Sequence, residues 1–184
     1  RKRGRDGSFR EIWSTAVDPS SRQVTRADIA PVGTVWTVFE SGPASDKVDL
    51  LLLGDGYTRA ELPKFHADVT RLVDAMFAIE PYRSRKRDFN VRALDVASPE
   101  SGVNRPQSGV FRRTPLSAEY NIFGTDRYVL TTDNRALRDI ASAPPYEAVE
   151  ILVNDKAYGG GGVFNAHATV AVDNGAAPYV FLHE

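Results

Sequence analysis

The chain has 184 residues, 42% hydrophobic, 26% charged and 10% aromatic, with a formal net charge of -1. That suffices for one domain with a sizeable core, and the balance of apolar and charged residues excludes wholesale disorder. There is no cysteine, which excludes disulfides, thiolate zinc sites, iron–sulfur clusters and cysteine nucleophiles, and no apolar run is long enough to span a bilayer.

The first ten residues carry Arg1, Lys2, Arg3, Arg5 and Arg10 against Asp6 alone, and no apolar stretch follows to make a signal peptide. A second basic cluster is Arg83, Arg85, Lys86 and Arg87. Neither is accompanied by an aromatic-rich nucleic-acid motif, so both read as solvated faces and no nucleic-acid partner is expected. Residues 9–17 and 33–40 have strand character, with a turn at Asp18-Pro19-Ser20-Ser21 between them. Residues 1–40 are therefore expected to form an extended or β-rich lead-in, and residues 41–184 the main body.

Val48-Asp49-Leu50-Leu51-Leu52-Leu53 is a short apolar run of the kind buried on both faces of a sheet. Thr58 and Glu61 form a capping box, and apolar residues then recur at Leu62, Phe65, Val69, Leu72, Val73 and Met76 with helical spacing. Pro63 places the start of the regular helix near Leu62, after a turn, and Pro81 closes it. Residues 89–96 alternate with period two and predict a strand with one dry face. Residues 98–125 read as a long loop, which inside a compact domain points to function. A short strand at 128–131, a helix over 134–143 capped by Thr132 or Asp133, and a strand at 149–153 follow. The alternation of strands and helices predicts an α/β fold.

Three segments can carry chemistry. Gly54-Asp55-Gly56 follows a strand and precedes a helix, where an aspartate can bind a metal or glycines can admit a phosphate. The competing reading is a tight turn with Asp55 bonded to its own backbone. Tyr158-Gly159-Gly160-Gly161-Gly162 has no Lys-Ser/Thr after it, so it reads as a mobile loop or one packed close to another backbone. Beside it, Ala168–Val172 is expected to be an exposed edge strand able to accept an extended peptide. Finally, Pro178 opens a helix that is apolar on every side and ends in His183-Glu184. A buried His-Glu pair needs partners, and metal ligation supplies one. In the zinc-peptidase motif H-E-x-x-H one helical turn brings two imidazoles to the metal, and the glutamate activates water.

These residues together resemble a known family. Residues 48–58, Glu80-Pro81-Tyr82-Arg83-Ser84, Glu100-Ser101-Gly102-Val103, residues 127–133, Tyr158–Gly162 and Tyr179-Val180-Phe181-Leu182-His183-Glu184 look like the IgA peptidase family of zinc metallopeptidases. The resemblance runs from about Val35 to Glu184. It implies a zincin-like fold, a zinc cofactor, a protein or peptide substrate, and a secreted, periplasmic or cell-surface location. Residue by residue, it implies His183 as the first zinc ligand and Glu184 as general base. It also implies Gly160, Gly161, Gly162, Ala168, Thr169 and Val170 as the rim of the substrate cleft.

The second histidine and the remaining ligand are expected beyond Glu184, so the piece as given is expected to be inactive. His167 is expected to be a partly exposed strand residue and His66 a hydrogen-bonded packing residue. Two other classes compete with the peptidase: a non-catalytic protein- or glycan-binding module that retains the fold, and a hydrolase centred on Asp55.

Overall fold

The computed structural model describes residues 2–24 and 26–184; of the amino-terminal basic cluster, Arg1 lies outside the described residues. A small antiparallel hairpin pairs β1 (Lys2–Arg3) with β2 (Phe9–Arg10). From Glu11 to Val32 the described residues form no strand, against the expectation of one over 9–17. Ile12, Trp13 and Val17 are exposed there, so no sheet partner offers them burial.

The body is a six-stranded mixed sheet. Its strands are β3 (Thr34–Phe39), β4 (Val48–Asp55), β5 (Phe89–Asp95), β8 (Ala148–Val153), β9 (Gly160–Val163) and β10 (His167–Ala171). The order across the sheet is β3-β5-β4-β8-β10-β9. β5, β4, β8 and β10 run parallel, while β3 and β9 close the two edges antiparallel. β3 pairs with β5 from Thr34 onward, so residues 34–39 are hydrogen-bonded into the six-stranded sheet.

Between β5 and β8 the chain forms a two-stranded ladder of β6 (Glu119–Tyr120) and β7 (Val129–Leu130), then the helix α2 (Asn134–Ile140). Helix α1 (Leu62–Phe77) joins β4 to β5, and α3 (Ala177–His183) follows β10. None of the helices is long and apolar enough to cross a membrane.

The leucine run explains the layering. In β4, Leu50 and Leu52 face one core with α1 and α3, whereas Leu51 and Leu53 face the other core with α2 and the 98–130 segment. Successive strand side chains point to opposite faces, so a continuous apolar run is what a central strand requires. β5 is likewise buried on both faces through Val91, Ala93 and Leu94, not on one as its alternation suggested. The α/β class is thus as read from the pattern. Thr58 closes the capping box, its backbone N–H and hydroxyl both donating to Glu61 Oε2 at 2.9 and 2.7 Å. Asp133 caps α2 by accepting from the Ala136 N–H at 2.9 Å.

Candidate active site

Helix α3 begins where Asn174 folds back, accepting the Ala176 N–H through Oδ1 at 3.1 Å. Its Ala177, Val180 and Phe181 enter the core against α1. Val180 and Glu184, one turn apart, lie on the stripe that faces β9. Tyr179 and His183 share the adjacent, outer stripe: their rings stack at 5.4 Å, and Tyr179 is 65% exposed. The expectation of a helix buried all round is therefore corrected. His183 and Glu184 are both exposed, because the helix packs only one stripe against the sheet.

The glycine run is a strand, not a mobile loop. A Cβ on Gly160 would collide with Val180 and approach the Thr169 carbonyl to 2.9 Å, and one on Gly162 would reach Glu184 Oε2 at 3.1 Å. On the other face, a Cβ on Gly159 would strike the Tyr120 ring at 2.6 Å, and one on Gly161 would meet Leu130 at 3.0 Å. The run thus lets one strand lie between α3 and the β6–β7 ladder with no side chain of its own.

The edge of the sheet beside α3 is consequently β9, and the expectation of an edge strand at Ala168, Thr169 and Val170 is corrected. β10 is paired on both sides, with β8 and with β9, so its backbone has no ladder position left for a peptide. Along β9 the Gly159 carbonyl points inward to the Ala171 N–H, whereas the Gly160 N–H points outward to the Arg127 carbonyl at 3.1 Å. By strand alternation Gly162 aims its N–H and carbonyl outward as well. Of the predicted rim, Gly162 presents the open backbone, Gly160 is sealed by Arg127, and Gly161 points into the sheet.

Asp55 reaches well beyond its own turn. Its buried carboxylate takes the Leu116 and Ala118 N–H groups at 3.0 and 2.8 Å and the Thr114 hydroxyl at 2.9 Å. Burial raises its pKa and these donors oppose the rise. This side chain ties residues 114–118 of the long 98–125 segment to the end of β4. Local reading could not reveal it, since the partners stand some sixty positions away in the chain.

His66 is the packing residue expected, with Nε2 against Asp95 Oδ1 at 2.8 Å and its ring 4.5 Å from Trp36. His167, in contrast, is buried and not partly exposed. Neither ring nitrogen has a hydrogen-bond partner among the described residues, and burial lowers its pKa. It points to the α2 face of β10, away from α3.

Glu150 was not singled out by sequence. It is the lone charge in the apolar strand Val149-Glu150-Ile151-Leu152-Val153, and that isolation is the signal for it. It is 94% buried, on the α3 face of the sheet, and its Oε1 has no partner among the described residues. Burial, and then the Glu184 carboxylate, push its pKa well above the ordinary 4.5. The folded state therefore keeps a proton that the unfolded chain releases, so stability falls as pH rises from 4.5 through the folded value. Glu150→Gln removes the titration and keeps the shape. It is expected to change little at pH ~4 but to stabilise at pH ~8 by about 1–3 kcal/mol, read from urea midpoints at the two pH values.

Zinc was tested against the donors present. His183 offers one exposed imidazole with a carboxylate beside it, which fits one ligand position and a base. A catalytic zinc takes three protein ligands, and among the described residues no group of three histidine, aspartate or glutamate side chains converges. His66 is held by Asp95, and His167 is buried in β10.

No curated protein matches the chain. The family model of the IgA peptidase M64 family matches residues 37–184, covering the sheet, the glycine strand and the His183-Glu184 helix. The chain belongs to the IgA peptidase M64 family, a family of peptidases.

Proposed function

We propose that this protein hydrolyses peptide bonds as an exported zinc metalloendopeptidase of zincin-like fold, with His183 as one zinc ligand and Glu184 as general base and acid. The observation that carries the reading is the juxtaposition of the Glu184 carboxylate with Gly162 on the free edge of β9. An extended substrate pairing with the outward N–H and carbonyl of Gly162 lies alongside that carboxylate. Glu184 takes a proton from the attacking water and passes it to the leaving amine. His183, held on the outer stripe of α3 by Tyr179, faces the same end of the helix. A bound zinc ion would supply Lewis-acid activation of the water and of the scissile carbonyl. The other ligands are proposed to follow Glu184, the second histidine standing at the last position of H-E-x-x-H.

Metal content tests the reading. A chain carrying the complete motif is expected to bind one zinc per molecule, to lose activity on chelation and to regain it on zinc addition. The 184-residue piece is expected to bind none tightly. Activity that survives chelation, or a residue other than histidine at that third position after Glu184, would sink the assignment.

A further inference from the structure

Beside Glu184 a cavity of about 440 Å³ opens between the start of β8 and the β9–β10 hairpin. Its charged lining consists of Glu147 and Glu184, and among the described residues neither lysine nor arginine lines it. Glu147 is fixed by accepting the Asp49 N–H through Oε2 at 2.7 Å. Val149, Val163 and Ala166 supply apolar wall, and His167 completes the lining. We propose that this cavity is the specificity pocket of the peptidase and receives a lysine or arginine side chain of the substrate next to the scissile bond.

The inference rests on the peptidase reading and names its substrate class. Position is the first support: the cavity shares Gly162 and Glu184 with the edge where a peptide would pair. A substrate strand sends alternate side chains to one face, so a residue beside the scissile bond reaches a pocket that borders both. Volume is the second, since 440 Å³ lies in the range of sites that enclose a small ligand group.

Chemistry is the third support. Lysine and arginine lay their methylene stems along apolar wall and carry their charge to acceptors. Two carboxylates line this cavity, and an acidic side chain would meet like charge. His167 adds the particular feature. It is 94% buried, and both ring nitrogens lack a partner among the described residues. Burial and then the Arg138 guanidinium lower its pKa, which favours the neutral ring, and a neutral imidazole keeps one lone pair to accept from an ammonium or guanidinium N–H. An unpaired buried acceptor is costly, so a donor arriving there is favoured.

The hairpin of β1 and β2, carrying Lys2, Arg3 and Arg10, is brought to the rim by Phe9 stacking on Phe164 at 5.0 Å. Phe164 lines the cavity, whereas no residue of the hairpin does.

The test uses the intact, metal-loaded enzyme and peptides varied at each position flanking the scissile bond. One flanking position is expected to prefer arginine or lysine over norleucine by about tenfold or more in kcat/KM, the range of a charge-assisted hydrogen bond. Glu147→Gln is expected to collapse that ratio towards one, and Glu147→Lys to invert it in favour of glutamate. Because the ratio compares two substrates on one variant, a general loss of folding or turnover does not mimic the result.

A second measurement is independent of turnover: the ring nitrogen signals of His167 are expected to shift with acetyl-arginine amide and not with acetyl-norleucine amide. Cleavage with no basic preference, or a ratio that survives Glu147→Gln, overturns the pocket. Absence of cleavage of any peptide overturns the peptidase reading instead, and the His167 signals then decide whether the cavity still binds a basic side chain.

Discussion

Glu184→Gln is expected to lower kcat of the intact peptidase by about 10²- to 10⁴-fold, the contribution of a positioned general acid–base. The amide preserves size and leaves its oxygen able to accept, but it cannot take the proton of an attacking water. Zinc content is expected to stay at one per molecule, because the carboxylate is the base and not a ligand in the proposed site. Loss of zinc together with activity would place Glu184 in the ligand set and contradict the assigned role. Full activity with zinc retained would remove it from the chemistry altogether. The variant is expected to fold, because Glu184 is exposed and the stripe of α3 that packs in the core is Ala177, Val180 and Phe181.

Asp55→Ala is expected to destabilise the fold by about 3–5 kcal/mol, measured from the urea midpoint at constant m-value. Three donors converge on this carboxylate: the Leu116 and Ala118 N–H groups and the Thr114 hydroxyl. Alanine leaves all three facing a buried void. Asp55→Asn should also destabilise, because an amide has one acceptor oxygen and turns its NH₂ towards groups that themselves donate.

The damage should reach the active-site edge. Leu116 also accepts the Thr131 hydroxyl, next to β7, and the residue before β7's neighbour Tyr128, Arg127, accepts the Gly160 N–H. Amide exchange is therefore expected to accelerate over residues 98–130 and in β9 before it does so in α1. Unchanged stability with catalysis abolished and zinc retained would restore Asp55 as a catalytic centre.

The elements whose evidence is local were legible. The leucine run of β4 declared a central strand because only a strand covered on both faces can use apolar residues at every position. The Thr58–Glu61 box and Pro63 placed the start of α1, since capping is settled within one turn of chain. His66 was read correctly as packing, from its place near the apolar face of α1. The peptidase family was carried by several ordered motifs and is matched over residues 37–184.

The readings that failed depended on a partner distant in sequence. Residues 9–17 have strand propensity, but beyond Phe9-Arg10 no neighbouring strand offers them hydrogen bonds. Ala168–Val172 reads as an exposed edge strand when the glycines before it are read as a loop. The collisions that a Cβ would meet at Gly159 to Gly162 show why glycine stands there, and they come from α3, the β6–β7 ladder and β10.

The 184 residues without a cysteine by themselves determined an α/β domain, its central strand, its capped helices and the helix bearing His183-Glu184. Period and capping are properties of neighbours in the chain, so they survive without the fold. Only the tertiary structure decided that β9 is the edge, that Asp55 is an anchor, and that Glu150 and His167 are buried without full partners. Pairing order, burial and the electrostatics that follow from burial arise when residues far apart in sequence exclude water together. No local pattern specifies which of them will meet.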